Sequence, residues 1–82
     1  MYIAEAQDYR VGVITPRRVG GAVQRNRARR ILREALRRIR PRLRSDRGAS
    51  ILVIARPEIA GAAGDDIRAE LETLLTRHGL LE

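Results

Sequence analysis

The sequence predicts a small α+β sandwich, a mixed sheet packed with helices in the order strand, strand, helix, strand, helix. Three observations carry this expectation. Two short apolar and β-branched stretches open the chain, a long central segment repeats its apolar residues at helical spacing, and a continuous apolar run of strand length follows. Eighty-two residues form one domain, 1–82. A chain of that size buries only about 60% of its unfolded surface, so the core is thin.

The first two strands are Tyr2 to Ala6 and Arg10 to Thr15, separated by Gln7-Asp8-Tyr9. That spacing reads as a β-hairpin with a tight polar turn. Thr15-Pro16 has the form of a helix start, but Gly20-Gly21 follows closely, so Pro16 to Gly21 reads as a basic loop carrying Arg17 and Arg18. The main helix is expected over Ala22 to Ile39, with Gly21 as N-cap and a stop imposed by Pro41 on Arg40. At 100° per residue Ala28, Ile31, Leu32, Ala35, Leu36 and Ile39 fall within roughly 140°. Arg27, Arg29, Arg30, Arg33, Arg37 and Arg38 fill the opposite arc, and Arg25 and Asn26 are read as continuing it.

Pro41 to Gly48 is a charged connector. Ser50 to Ala55 is the third strand, apolar throughout, as for a strand covered on both faces. Ile59 to Gly64 is small and carries no pattern. Asp65 is expected to open and cap a second helix, with Ile67, Leu71, Leu74, Leu75 and His78 on one side. Gly79 is the candidate C′ residue and Leu80 is free to fold back.

Charge is distributed unevenly. The net charge of +7 hides a stretch from Arg17 to Arg47 with thirteen arginines against Glu34 and Asp46, a net of +11. Pro57 to Glu82 carries six carboxylates against Arg68 and Arg77, a net of −4. All cations are arginine and none is lysine. Arginine forks onto phosphate and stacks on bases, but Arg56, Arg68 and Arg77 are arginine without any nucleic-acid rationale, so a bias of composition is the simpler explanation of the missing lysine.

Arg25 to Glu34 packs five arginines and an asparagine into less than three helical turns. A solvated face normally mixes signs to gain i,i+4 pairs; here only Glu34 interrupts the cations. A membrane-surface helix wants tryptophan or phenylalanine, and the chain has neither. Nucleic acid is the partner this face fits best. Asn26 adds a donor and an acceptor suited to a base or ribose, or equally to local bonding near the helix start.

Other chemistries find little support. Without cysteine there is neither a disulfide framework nor a thiolate metal site. The single histidine, His78, sits at a helix end. Asp65, Asp66 and Glu70 hint at a divalent-ion site, but acidic residues in a first turn more simply favour the helix dipole. Glycines 12, 20 and 21 match no phosphate loop, whose lysine is missing. No run reaches the roughly 18 apolar residues of a membrane span, and the opening Met-Tyr-Ile-Ala-Glu-Ala lacks a signal peptide's pattern. A cytoplasmic protein with no membrane association is the expectation.

These residues resemble the bacterial ribonuclease P protein subunit. The stretch Arg10 to Ala35 resembles that family's signature: a strand, a Ser/Thr-Ser/Pro-basic-basic turn, a glycine, then a helix opening Arg-Asn-Arg. Val53 to Pro57 and the closing His78-Gly-Leu-Leu81 are similar too. The resemblance implies a subunit of a ribonucleoprotein endonuclease that trims the 5′ leader of precursor tRNA. Its RNA is the catalyst, with bound magnesium, and the protein itself supplies no catalytic residue, metal site or cofactor. Implied partners are the catalytic RNA and precursor tRNA.

Matching positions for RNA contact are Arg17, Arg18, Arg25, Asn26, Arg27, Arg29, Arg30 and Arg33. Arg29 and Arg33, near the edge of the apolar arc, become the leader-contact candidates, while Arg25, Arg27 and Arg30 face outward toward the catalytic RNA. The resemblance also implies a left-handed β-α-β crossover, where general handedness rules give a right-handed one. It further implies a helix and a first strand ahead of Tyr2, so that this domain lacks part of the family's leader cleft and leaves sheet surface uncovered. Two alternatives remain: a ribosomal or assembly-type structural RNA-binding protein, and a metal-dependent nuclease using the acidic tail.

Overall fold

The structure, a computed structural model, describes residues 1–81. Its central strand is β3 (Ala49–Ile54), which pairs antiparallel with β1 (Tyr2–Glu5) and parallel with β2 (Arg10–Ile14), giving the order β1-β3-β2. The expected β1–β2 hairpin does not form. Gln7-Asp8-Tyr9 contains none of the Asn-Gly or Asp-Gly steps that favour tight hairpins, and the most apolar strand takes both neighbours.

The strand β3 is not covered on both faces either. Ala49, Ile51 and Val53 are buried, whereas Ser50 is exposed and Leu52 and Ile54 are half-buried. Register places Tyr2, Leu52 and Gly12 in one row across the outer face, with Ala4, Ser50 and Arg10 in the next. That face carries apolar surface in the open: Tyr2 is 67% exposed and Ile14 45%.

Helix α1 spans Ala22–Ile39, as its periodicity predicts. Gly21 is the N-cap, extended and without a side-chain cap, and its carbonyl accepts the first helical bond from Arg25 N–H at 2.9 Å. Ala28, Leu32, Ala35 and Ile39 are buried, with Ile31 and Leu36 half-buried beside them. The helix ends at Ile39 as expected, but the reason expected for it, a non-helical Arg40, does not hold. Arg40 keeps helical geometry (φ −51°, ψ −43°), and the chain tightens into a 3-10 turn, Arg40–Arg42, that accommodates Pro41 before extending at Leu43. A proline near the start of a turn loses no needed N–H bond, so the ring reshapes the last turn and does not terminate it.

Helix α2 spans Gly64–Arg77 and packs along α1, burying Leu71 and Leu75, with Ile67 and Leu74 half-buried. Asp65 does not cap it. The cap position is Ala63, and Asp65 and Asp66 lie in the first turn, where their charge still complements the dipole. His78 is exposed, its Nδ1–H donating to the Leu74 carbonyl at 2.9 Å. The C-terminus forms a Schellman motif. Gly79, at φ +70°, donates to Thr76 O at 3.0 Å and Leu80 donates to Leu75 O at 3.0 Å. Leu80 then folds back, buried, and its carbonyl accepts Arg44 N–H at 2.7 Å, while Leu81 bridges to Leu43. Residues 59–64, without pattern in the sequence, include the end of a 3-10 turn, Pro57–Gly61, anchored by buried Ile59.

The connector reaches β3 through Gly48, where an added Cβ would fall on the backbone carbonyls of Ala6 and Gln7. Backbone cannot swing aside as a side chain can, so Gly48→Ala is expected to cost about 1–3 kcal/mol. At Gly61 an added Cβ meets nothing within 4 Å, and Gly61→Ala should stay within about 0.5 kcal/mol of the parent. Urea melts of the two variants check this; equal stability would contradict the close approach.

Candidate nucleic-acid interface

The basic turn is built by one buried anchor. Beyond Ile14 the chain enters a 3-10 turn, Arg17–Val19, closed by Val19 N–H to Pro16 O at 3.0 Å. Val19 is buried and Arg17 and Arg18 are exposed, so the expected loop is a seated turn. Gly20 then adopts φ +144°, and a Cβ there would meet Gln24 Cβ at 2.8 Å. This residue lets the chain reverse directly into α1, setting both turn arginines beside the helix N-terminus. Thr15 does not cap the turn; its side chain faces α1 instead.

The α1 cations divide by environment. Asn26, Arg27, Arg30 and Arg33 are exposed, and Arg29 is half-buried. Arg27 Nη1–H donates to the Ala60 carbonyl at 3.1 Å, tying the turn after β3 to the helix. Arg29 Nη2–H donates to Thr15 Oγ1 at 2.9 Å, and its Nη1 lies 3.5 Å from Asn26 Oδ1. Arg33 lines a groove of about 330 Å³ with Val11, Val13, Leu36, Arg37 and Arg40, alongside β2. Arg29 and Arg33 therefore sit at the sheet side of the helix, as the projection places them.

Arg25 departs from expectation. It is half-buried, and its Nε is sealed from solvent with no partner among the described residues. The reason lies in the helical projection itself: three residues before Ala28, Arg25 falls about 60° from it, inside the apolar arc between Leu32 and Leu36. It does not continue the outward face. Asn26 does, while its Oδ1 also serves the local role.

Carboxylates reach this surface late. Arg37 Nε and Nη2 donate to Glu34 at 3.2 and 3.3 Å. Those hydrogen bonds, and then the Arg37 charge, hold the Glu34 carboxyl below its ordinary value and raise Arg37. Arg44 does the same for Asp46, chiefly through hydrogen bonds at 3.0 and 2.9 Å. Among the described residues, no carboxylate ion-pairs with Arg17, Arg18, Arg25, Arg27, Arg29, Arg30 or Arg33.

The surface offers guanidinium donors and no nucleophile–base pair. Asp65 instead pairs with Arg68 at 3.6 Å. Among the described residues no three acidic or histidine side chains converge as a metal site, and no helix is long and apolar enough to cross a membrane. Sequence reasoning missed the two acceptors, Thr15 Oγ1 and Ala60 O, that hold Arg29 and Arg27. Neither has a local signal, since each contact joins residues far apart in the chain.

A carboxyl held low in the fold binds its proton less readily there than in the unfolded chain. Its contribution is full above its ordinary value, about 4.5 for Glu34, and is lost as pH falls through the lowered one. Thermal melts from about pH 5 to about pH 3 should show declining stability. The decline should be shallower in the Glu34→Gln/Asp46→Asn variant, and identical slopes would mean that these exposed pairs contribute nothing.

Comparison with known proteins matches this arrangement to one family. A family model described as Ribonuclease P matches residues 1–79. The ribonuclease P protein component of Symbiobacterium thermophilum is 45% identical over 73 residues, covering 89% of this chain and 62% of that protein. That of Chloroflexus aurantiacus is 41% identical over 78 residues, covering 95% and 57%. The chain thus spans about three fifths of the length of these curated relatives. Among solved structures, the RNase P protein from Thermotoga maritima superposes with a TM-score of 0.76 at 30% identity, covering 92% of this chain and 72% of that one. The Staphylococcus aureus RNase P protein, at 24% identity and a TM-score of 0.78, shares the fold. With a matching model over nearly its whole length, the chain belongs to the ribonuclease P protein family.

Proposed function

We propose that this chain acts as the protein subunit of ribonuclease P, binding the catalytic RNA and the 5′ leader of precursor tRNA in the cytoplasm. The supporting observation is the arginine surface of α1 and its preceding turn, which among the described residues has no carboxylate ion-pair partner before Glu34. In this reading Arg17, Arg18, Asn26, Arg27 and Arg30 meet the catalytic RNA. Arg29 and Arg33, at the sheet side, meet the leader. Arg25 supports the face from beneath, with its guanidinium tip as the reachable part. The RNA component performs phosphodiester hydrolysis with magnesium that it holds itself, and the protein contributes affinity and charge neutralisation.

Each phosphate neutralised adds about −0.7 to −0.9 to the slope of log affinity against log salt, so about five or six contacts give roughly −4 to −5. Titration of ribonuclease P RNA with the protein across salt concentrations measures this, and a slope near −1 would remove the arginine face from consideration. The protein should also stimulate precursor cleavage by ribonuclease P RNA at low magnesium. A ribosomal or assembly-type RNA binder would bind without stimulating, and a metal-dependent nuclease would cleave without the RNA. Replacing Arg29 and Arg33 with alanine should weaken precursor tRNA more than mature tRNA; equal loss would refute their leader role.

A further inference from the structure

Among the described residues Thr15 is the one buried polar side chain, 8% exposed just past the end of β2. A buried hydroxyl needs a partner, and the partner here is a guanidinium from the cationic helix. Arg29 Nη2–H reaches Thr15 Oγ1 at 2.9 Å across fourteen positions of sequence. One further donor faces Asn26 Oδ1 at 3.5 Å. Of the five N–H groups an arginine carries, three have no partner among the described residues, on a fork whose plane is fixed from one side. Arg33, one turn later, lines the groove beside β2 and makes no side-chain hydrogen bond to such an acceptor among the described residues. A guanidinium held before binding has less freedom to lose when it meets a phosphate.

We infer that Thr15 is a positioning residue for the RNA-binding face. Its hydroxyl locks the Arg29 guanidinium at the end of β2, so that the remaining donors grip a leader phosphate in one orientation. This rests on the subunit reading above and adds to it the residue that makes Arg29 a fixed contact.

The test uses holoenzyme reconstituted from ribonuclease P RNA and the protein, with binding of precursor and mature tRNA measured separately. Thr15→Val removes the acceptor and should weaken precursor binding about fivefold to tenfold, with mature tRNA changed less than about twofold. Thr15→Ser, which restores the acceptor, should recover most of that loss. The double variant Thr15→Val/Arg29→Ala should bind precursor no more weakly than Arg29→Ala alone, because the two act through one contact. The salt slope should fall by about 0.7 in Arg29→Ala and stay unchanged in Thr15→Val, which takes away no phosphate contact.

Equal loss for precursor and mature tRNA, additive losses in the double variant, or no recovery by serine would each assign Thr15 a merely structural role and overturn the proposal. Normal precursor binding by Arg29→Ala, with cleavage still stimulated, would overturn it while leaving the subunit reading intact. Absence of stimulation by the unmutated protein at low magnesium would bring down the subunit reading, and this inference with it.

Discussion

Ala28, Leu32, Ala35 and Ile39 form one stripe of α1, and the burial of that stripe against α2 and the inner face of the sheet governs everything else. Each fully buried leucine or isoleucine contributes about 1.5–3 kcal/mol. A chain of this length has a net stability of only about 4–12 kcal/mol. Turning the helix by a single residue would move Leu32 and Ile39 toward water and bring arginines toward Ile51 and Leu75. The apolar residues therefore set the rotation of the helix, and the rotation sets where each cation points. Arg30 faces water because Leu32 and Ala28 do not.

That geometry carries an electrostatic cost. Arg25 and Arg29, Arg29 and Arg33, Arg27 and Arg30, and Arg30 and Arg33 stand three or four residues apart on one helix. Like charges at that spacing cost about 0.2–0.5 kcal/mol per pair, on the order of 1–2 kcal/mol together. The fold offsets part of it with neutral acceptors: the Thr15 hydroxyl takes Arg29 and the Ala60 carbonyl takes Arg27. Neutral acceptors spread a cation's charge without cancelling it. The repulsion is eased while the positive potential that attracts a polyanion remains.

Legibility in the sequence followed the range of the interaction. Helix α1 could be read because its period, its glycine start and its proline neighbourhood all lie within the segment, and the Schellman end of α2 could be read from Gly79 for the same reason. The β1–β2 hairpin that the sequence predicts gives way because pairing is a competition among strands, and β3, with its larger apolar content, outcompetes the local partner across forty or more residues. Arg25 reads as outward by its charge, whereas its helical angle places it in the apolar arc, and in the fold the angle prevails. Thr15 and Ala60 could not have been found, since a threonine or a backbone carbonyl carries no mark of the distant arginine it will meet. The cations were visible in the sequence, and what holds them was not.

The ion pairs explain how a chain with an acidic second helix keeps a cationic working surface. Among the described residues the ion pairs within 17–47 fall at or after Glu34: Arg37 with Glu34 at 3.2 Å, Arg42 with Glu72 at 3.1 Å, Arg44 with Asp46 at 2.9 Å. Glu72 also takes Arg68 at 3.6 Å, bracing α2 and the 3-10 turn after α1 around one carboxylate. Exposed pairs of this kind are worth little to stability. Their effect on the field is larger, because a paired charge attracts only at short range. With a screening length of about 8 Å at physiological ionic strength, a phosphate responds only to the nearest few cations. Neighbours about 5–6 Å apart on a helix then act together. Glu34 pairs with Arg37 near the end of α1, and Glu72 and Asp46 pair with Arg42 and Arg44 beyond it, so the turn at Arg17 and the first three helical turns keep their positive charge without ion pairs among the described residues.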